Sequence, residues 1–166
     1  MQKAYLFNTV NRGKFGEFIV ATAIGAENAN DLTDINFNAF DLLYKGKYRI
    51  EVKTSAMIKS NRMPIPSFSI AKASLADENG NYIDGAPKQR NSDIYVFCVF
   101  KADDEEQDPL DLDNWEFYVV ATKTIDEMLG DQKTVRFTRL LELPVIKCKY
   151  GEIKIALDDV LESKYR

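Results

Sequence analysis

Phe40-Asp41-Leu42-Leu43-Tyr44-Lys45-Gly46-Lys47-Tyr48-Arg49-Ile50-Glu51-Val52-Lys53-Thr54 is the stretch whose reading decides the fold. Two strand-like runs flank a tight link centred on Gly46, a residue that takes the positive φ short hairpin loops often demand. In the second run Ile50 and Val52 alternate with Arg49, Glu51 and Lys53, the period of a strand with one apolar face. With Lys45-Gly46-Lys47 as the loop, Tyr44 pairs with Tyr48 and Leu42 with Ile50. Asp41 then falls opposite Glu51, and Lys53 lies two residues on, on the same face. Directly opposed residues of an antiparallel pair hold their Cβ atoms about 5 Å apart. Two carboxylates at that spacing repel unless a proton or a cation stands between them.

Upstream, Phe15, Phe18, Ile19, Ala23 and Ala26 recur at three- and four-residue steps, which predicts a helix over 14–26 with one buried face. Asn11 is placed to cap its start, Gly25 lies near its end, and Glu17 sits within it. Downstream, residues 55–66 read as irregular because Pro64 and Pro66 break regular structure. A short strand or helix follows within 67–77, then a turn at Asp77-Glu78-Asn79-Gly80-Asn81 and a loop to Asn91. Asp93 to Lys101 is apolar enough for a central strand, and Glu116 to Ala121 forms the next. Thr124 is placed to cap a short helix, Ile125 to Leu129, closed by Gly130. Short strands are expected near Val135 and Ile153, and a last helix from Leu157. Helix, hairpin, strand, strand, helix predicts an α/β fold, and 166 residues suit one domain over 1–166.

The composition excludes several chemistries. There is no histidine, hence no Ser-His-Asp triad, no Cys-His pair and no histidine-held zinc. Cys98 and Cys148 form no CxxC pair and are read as free thiols. No apolar run approaches the roughly 20 residues that span a bilayer, and the first residues lack a signal peptide's apolar core, so no membrane and a cytoplasmic location are expected. The net charge of −4 is unevenly spread. Residues 103–113 hold seven acids and no base; without them the balance is +3, with 22 basic against 19 acidic residues. That run reads as a solvated loop, and the overall charge does not argue against a face for nucleic acid.

The parts around the hairpin suit metal-assisted hydrolysis of a phosphodiester. Magnesium (or manganese) takes hard oxygen ligands, commonly one or two carboxylates with water and phosphate oxygens. A lysine on the same face can orient or deprotonate the attacking water, or neutralise charge developing on the phosphate. Asp41, followed after nine residues by Glu51-Val52-Lys53, resembles the D…ExK signature of the PD-(D/E)XK nuclease superfamily, which includes restriction endonucleases, junction resolvases and repair nucleases. Phe40 stands where that signature usually has proline. The resemblance covers roughly residues 12–121. It implies a restriction-endonuclease-like mixed sheet flanked by helices, metal held by Asp41 and Glu51, and Lys53 acting beside it. It also implies a further glutamate from the N-terminal helix, matched by Glu17. The implied activity is a magnesium-dependent endonuclease acting on DNA, with RNA as another candidate substrate. Duplex DNA presents two antiparallel strands, which suits a homodimer.

Other residues carry weaker signals. Lys59, Arg62, Lys88 and Arg90 lie on the two loops flanking the hairpin, where they could meet phosphates, Arg90 foremost. Thr54 and Ser55, just past Lys53, could hold a phosphate or a water, although hydroxyls at strand ends more often bond backbone. Asp93 reads as a turn or cap residue, and Tyr95, Phe97, Phe117 and Tyr118 as core. The competing account is that Glu51 and Lys53 only solvate the outer face of a hairpin. The chain would then be a non-catalytic module that keeps the fold and binds protein or nucleic acid.

Overall fold

The computed structural model describes residues 9–25, 39–59, 65–104 and 106–163. It is a mixed α/β fold built on a five-stranded sheet. The strands of that sheet are β1 (Leu42–Tyr44), β2 (Tyr48–Ile58), β6 (Ile94–Ala102), β7 (Trp115–Ala121) and β9 (Ile146–Cys148), in that spatial order. Only β2 and β6 run parallel; the other neighbours are antiparallel. The hairpin has the expected register, Leu42 opposite Ile50 and Tyr44 opposite Tyr48. Gly46 has φ 62° and Lys45 shares the left-handed region at φ 52°.

The sheet separates two cores. On one face α1 (Thr9–Ile24) and α4 (Ile153–Ser163) bring Ile19, Val20, Ile24, Leu157 and Val160 against Ile50, Val52, Val96, Cys98 and Phe117. On the other face Tyr95, Phe97, Val99, Tyr118 and Val120 pack against Ile125 and Leu129 of α2 (Thr122–Leu129) and Phe137 and Leu140 of α3 (Phe137–Leu140). The same layer holds a two-stranded sheet of β3 (Ser67–Ser69) and β8 (Thr134–Arg136). A second small sheet pairs β4 (Ala73–Ser74) with β5 (Lys88–Gln89). β6 is buried on both faces because helices cover both, which is why it reads as a continuous apolar run.

Several elements differ from the sequence reading. α1 begins at Thr9, so Asn11 lies inside it rather than at its cap. Phe18 is 45% exposed; the buried stripe runs through Ile19, Val20 and Ile24. β2 continues to Ile58, because residues 55–58 pair with Val99 to Ala102 of β6. α2 starts at Thr122, and its N-cap, Ala121, makes no side-chain capping bond, so Thr124 is not the cap. Ile153 opens α4 and is not in a strand; the strand is Ile146–Cys148, held by β7. Both cysteines are free and buried. Among the described residues no helix is long and apolar enough to cross a membrane.

Candidate active site

β1 stops at Leu42, so beyond Ile50 the outer edge of β2 has no strand beside it among the described residues. An open edge leaves backbone N–H groups without a ladder partner. Asp41 fills the first vacancy. Its own N–H donates to Ile50 O at 3.0 Å, and its Oδ2 accepts the Val52 N–H at 2.7 Å. The carboxylate is thereby held at the place where β1 departs, beside Glu51.

Glu51 and Lys53 project from the face of β2 opposite α1, and the Lys53 ammonium donates to Glu51 Oε1 at 2.6 Å. Glu17, on α1, accepts from Lys14 at 3.0 Å, and its negative charge is felt by both Asp41 and Lys53. The side chains of Glu17, Glu51 and Lys53 are 15%, 19% and 28% exposed, shielded from bulk water yet open to a ligand.

The four charges act on one another. Burial raises the Asp41 carboxyl to about 7, and the negative charges of Glu51 and Glu17 add to the rise; the Val52 N–H and the Lys53 charge oppose it. Burial pulls the Lys53 ammonium down, but Glu51 by charge and hydrogen bond, with Asp41 and Glu17 behind it, outweighs burial and leaves it above its ordinary value. Burial comes first among these causes, so the raised carboxyl reports a site sheltered from water with negative charge near it.

The geometry that admits Glu17 depends on Gly16. A Cβ there would stand 2.0 Å from Thr54 Oγ1, so only glycine lets α1 approach β2 this closely. Sequence reasoning noticed Glu17 but not this seat; a glycine inside a helical pattern was the available signal. Thr54 therefore serves packing. Asp93 is likewise structural: its Oδ2 accepts the Arg49 N–H at 3.0 Å, and its own N–H donates to Arg49 O at 2.8 Å.

The expected basic contacts divide. Arg90 is not available to a phosphate. Its guanidinium has no exposed surface, is ion-paired to Asp126, and donates to the carbonyls of Ile70 (2.7 Å), Gly130 (3.0 Å) and Gln132 (2.9 Å). It ties the loop before β6 to α2 and the β8 side of the fold, and a buried charge needs such a set of partners. Lys59 is exposed and paired with Asp103. It lies just past the end of β2, eight residues beyond Glu51, about 26 Å at the rise of a strand. Lys88 is exposed on β5. Arg62 lies outside the described residues. The acidic loop turns several carboxylates onto its own backbone, Asp104 to Glu106 N, Asp108 to Leu110 N and Asp111 to Asp113 N.

Among the described residues no three carboxylate or thiol side chains are already gathered as a metal's ligands. The donor set nevertheless fits a hard divalent cation. Asp41 keeps Oδ1 uncommitted to the Val52 bond, Glu51 is adjacent, and magnesium completes its octahedron with water around one or two carboxylates. Compared with protein-family models, with curated proteins and with solved structures, the chain matches none.

Proposed function

We propose that this protein is a metal-dependent phosphodiesterase whose centre is Asp41, Glu51, Glu17 and Lys53. Within that class we propose a DNA endonuclease of the PD-(D/E)XK kind, built on a restriction-endonuclease-like sheet. The observation that carries the reading is Asp41 held beside the Glu51–Lys53 ion pair of β2 by the Val52 N–H, its carboxyl raised to about 7, with Glu17 of α1 adding its negative charge. A purely solvating hairpin face has no reason to bury one carboxyl within the field of two others.

Asp41 and Glu51 would hold magnesium, with Glu17 at its border. Bound there, the ion would supply Lewis-acid polarisation of a phosphodiester and an acidified water. Lys53, an ammonium 2.6 Å from Glu51, supplies N–H donors to negative charge that develops on the phosphate. The Val52 N–H fixes Asp41, so its carboxylate does not reorganise during the reaction.

The test is cleavage of plasmid, linear duplex, branched and single-stranded DNA, and of RNA, with magnesium or manganese. Wild type should cut one of these DNA forms, and Glu51→Gln and Lys53→Ala should each lose about a hundredfold or more of the rate. Equal cleavage by all three would sink the mechanism. The rival, a non-catalytic binding module, gains from one observation: Glu51 is already satisfied by Lys53. Calorimetric titration with manganese separates the two, since only the enzyme reading requires heat that disappears in Asp41→Asn.

A further inference from the structure

Phe40, the residue before Asp41, is enclosed by a turn far away in sequence. The Arg49 guanidinium lies over its ring, 4.9 Å from the centroid. A Cβ on Gly80 would stand 3.0 Å from Phe40 Cε1, and Gly80 has φ +85°. The backbone is tied at the same place, Ala39 N–H donating to Gly80 O at 3.1 Å. Arg49 Nη2 donates to Asp77 O at 2.5 Å, so one guanidinium holds both the ring and the turn.

The turn itself is held at both ends. Asp77 Oδ1 accepts the N–H groups of Asn79 and Asn81, each at 2.9 Å, and Gly80 N–H donates to Asp77 O at 3.1 Å. Asn91 accepts the Ala76 N–H at 3.0 Å and donates to Ser74 O at 2.8 Å. Asp93 clamps the Arg49 backbone from the residue just before β6. A chain of bonded groups thus runs from β6, through Arg49 and the 77–81 turn, to Phe40.

We propose that the Asp77–Asn81 turn is a strut that positions Asp41, with Phe40, Gly80 and Arg49 as its positioning residues. Asp41 stands one residue past the last β1 pair, so the sheet alone constrains it only through its N–H and one carboxylate oxygen. The preceding residue is where further constraint can act, and Phe40 is met there by both Arg49 and Gly80. This accounts for an aromatic residue at that position: a side chain with no ring would give Arg49 and Gly80 nothing to close on. The inference rests on the metal-centre reading for its consequence, but the strut is testable without it.

The test compares wild type, Phe40→Ala, Gly80→Ala and Phe40→Tyr by amide hydrogen exchange and manganese calorimetry. The Val52 N–H is the direct reporter, because Asp41 Oδ2 is its acceptor. Phe40→Ala and Gly80→Ala should speed Val52 exchange at least about tenfold, leave the β6–β7 amides of Val96 and Val119 unchanged, and weaken manganese at least about tenfold. Phe40→Tyr, which keeps the ring, should match wild type in both. Val52 exchange at the wild-type rate in Phe40→Ala and Gly80→Ala would overturn the strut, as would acceleration spread equally over Val96 and Val119. Selective acceleration at Val52 in a protein whose wild type binds no manganese would uphold the strut and remove the metal-centre reading.

Discussion

Replacing Asp41 by asparagine should stabilise the metal-free protein at neutral and alkaline pH. Asparagine keeps the shape and an acceptor for the Val52 N–H while removing the charge that burial, Glu51 and Glu17 oppose. The sign follows from the raised carboxyl. Its value is 3.8 when unperturbed and about 7 in the fold, so the native state holds the proton more tightly than the unfolded chain does. The contribution of Asp41 to stability is present in full below about pH 4 and is lost as pH climbs through the folded value. Three units at about 1.4 kcal/mol each bound the loss near 4 kcal/mol. Asparagine must itself bury an amide with N–H groups to satisfy, so about 2 kcal/mol is the expected gap, some 4–8 °C in melting temperature for a chain of this size. Urea or thermal unfolding in EDTA at pH 4.5 and pH 8 checks it. Wild type and Asp41→Asn should be close at pH 4.5, with the variant ahead at pH 8. Magnesium at pH 8 should then raise wild type alone, since an ion that binds only the folded form stabilises it. A variant less stable than wild type at both pH values would refute the charge reasoning.

Three further outcomes follow from the same geometry. Manganese should bind wild type more tightly as pH rises from 6 to 8, because the Asp41 proton, leaving near 7, competes with the ion; calorimetry at the two pH values measures it. Gly16→Ala should cost about 1–3 kcal/mol in unfolding free energy through the clash with Thr54 Oγ1, and Thr54→Ala in the same chain should return part of it. Arg90→Ala should cost about 3–5 kcal/mol by leaving Asp126 and three carbonyls without their donor. Arg90→Lys should rescue little, since an ammonium cannot span that fork; a nucleic-acid affinity lost in Arg90→Lys without loss of stability would contradict the structural role.

The hairpin was legible from sequence because its signals were local. Gly46 set the loop, strict alternation set the faces, and the register from Leu42 to Ile50 followed. β6 was legible for the opposite reason: burial on both faces leaves an uninterrupted apolar run. What escaped depends on contacts distant in sequence. The extension of β2 to Ile58 requires β6 as its partner, and no local pattern in residues 55–58 announces it. Arg90 reads as a surface cation because a guanidinium usually is one; only the fold reveals the three carbonyls that converge on it. At the candidate site, the hairpin register and charge spacing put Asp41, Glu51 and Lys53 near one another, as the structure has them. The Val52 bond, the Gly16 seat and the grip on Phe40 were invisible, each being a contact between separate elements.

The most direct test of the metal centre is anomalous diffraction from crystals grown with manganese. A single strong peak is expected beside β2, within about 2.3 Å of carboxylate oxygens of Asp41 and Glu51 and absent in Glu51→Gln. Manganese-saturated crystals with no peak between those two carboxylates, or with the ion bound elsewhere and Lys53 still closing on Glu51, would contradict it.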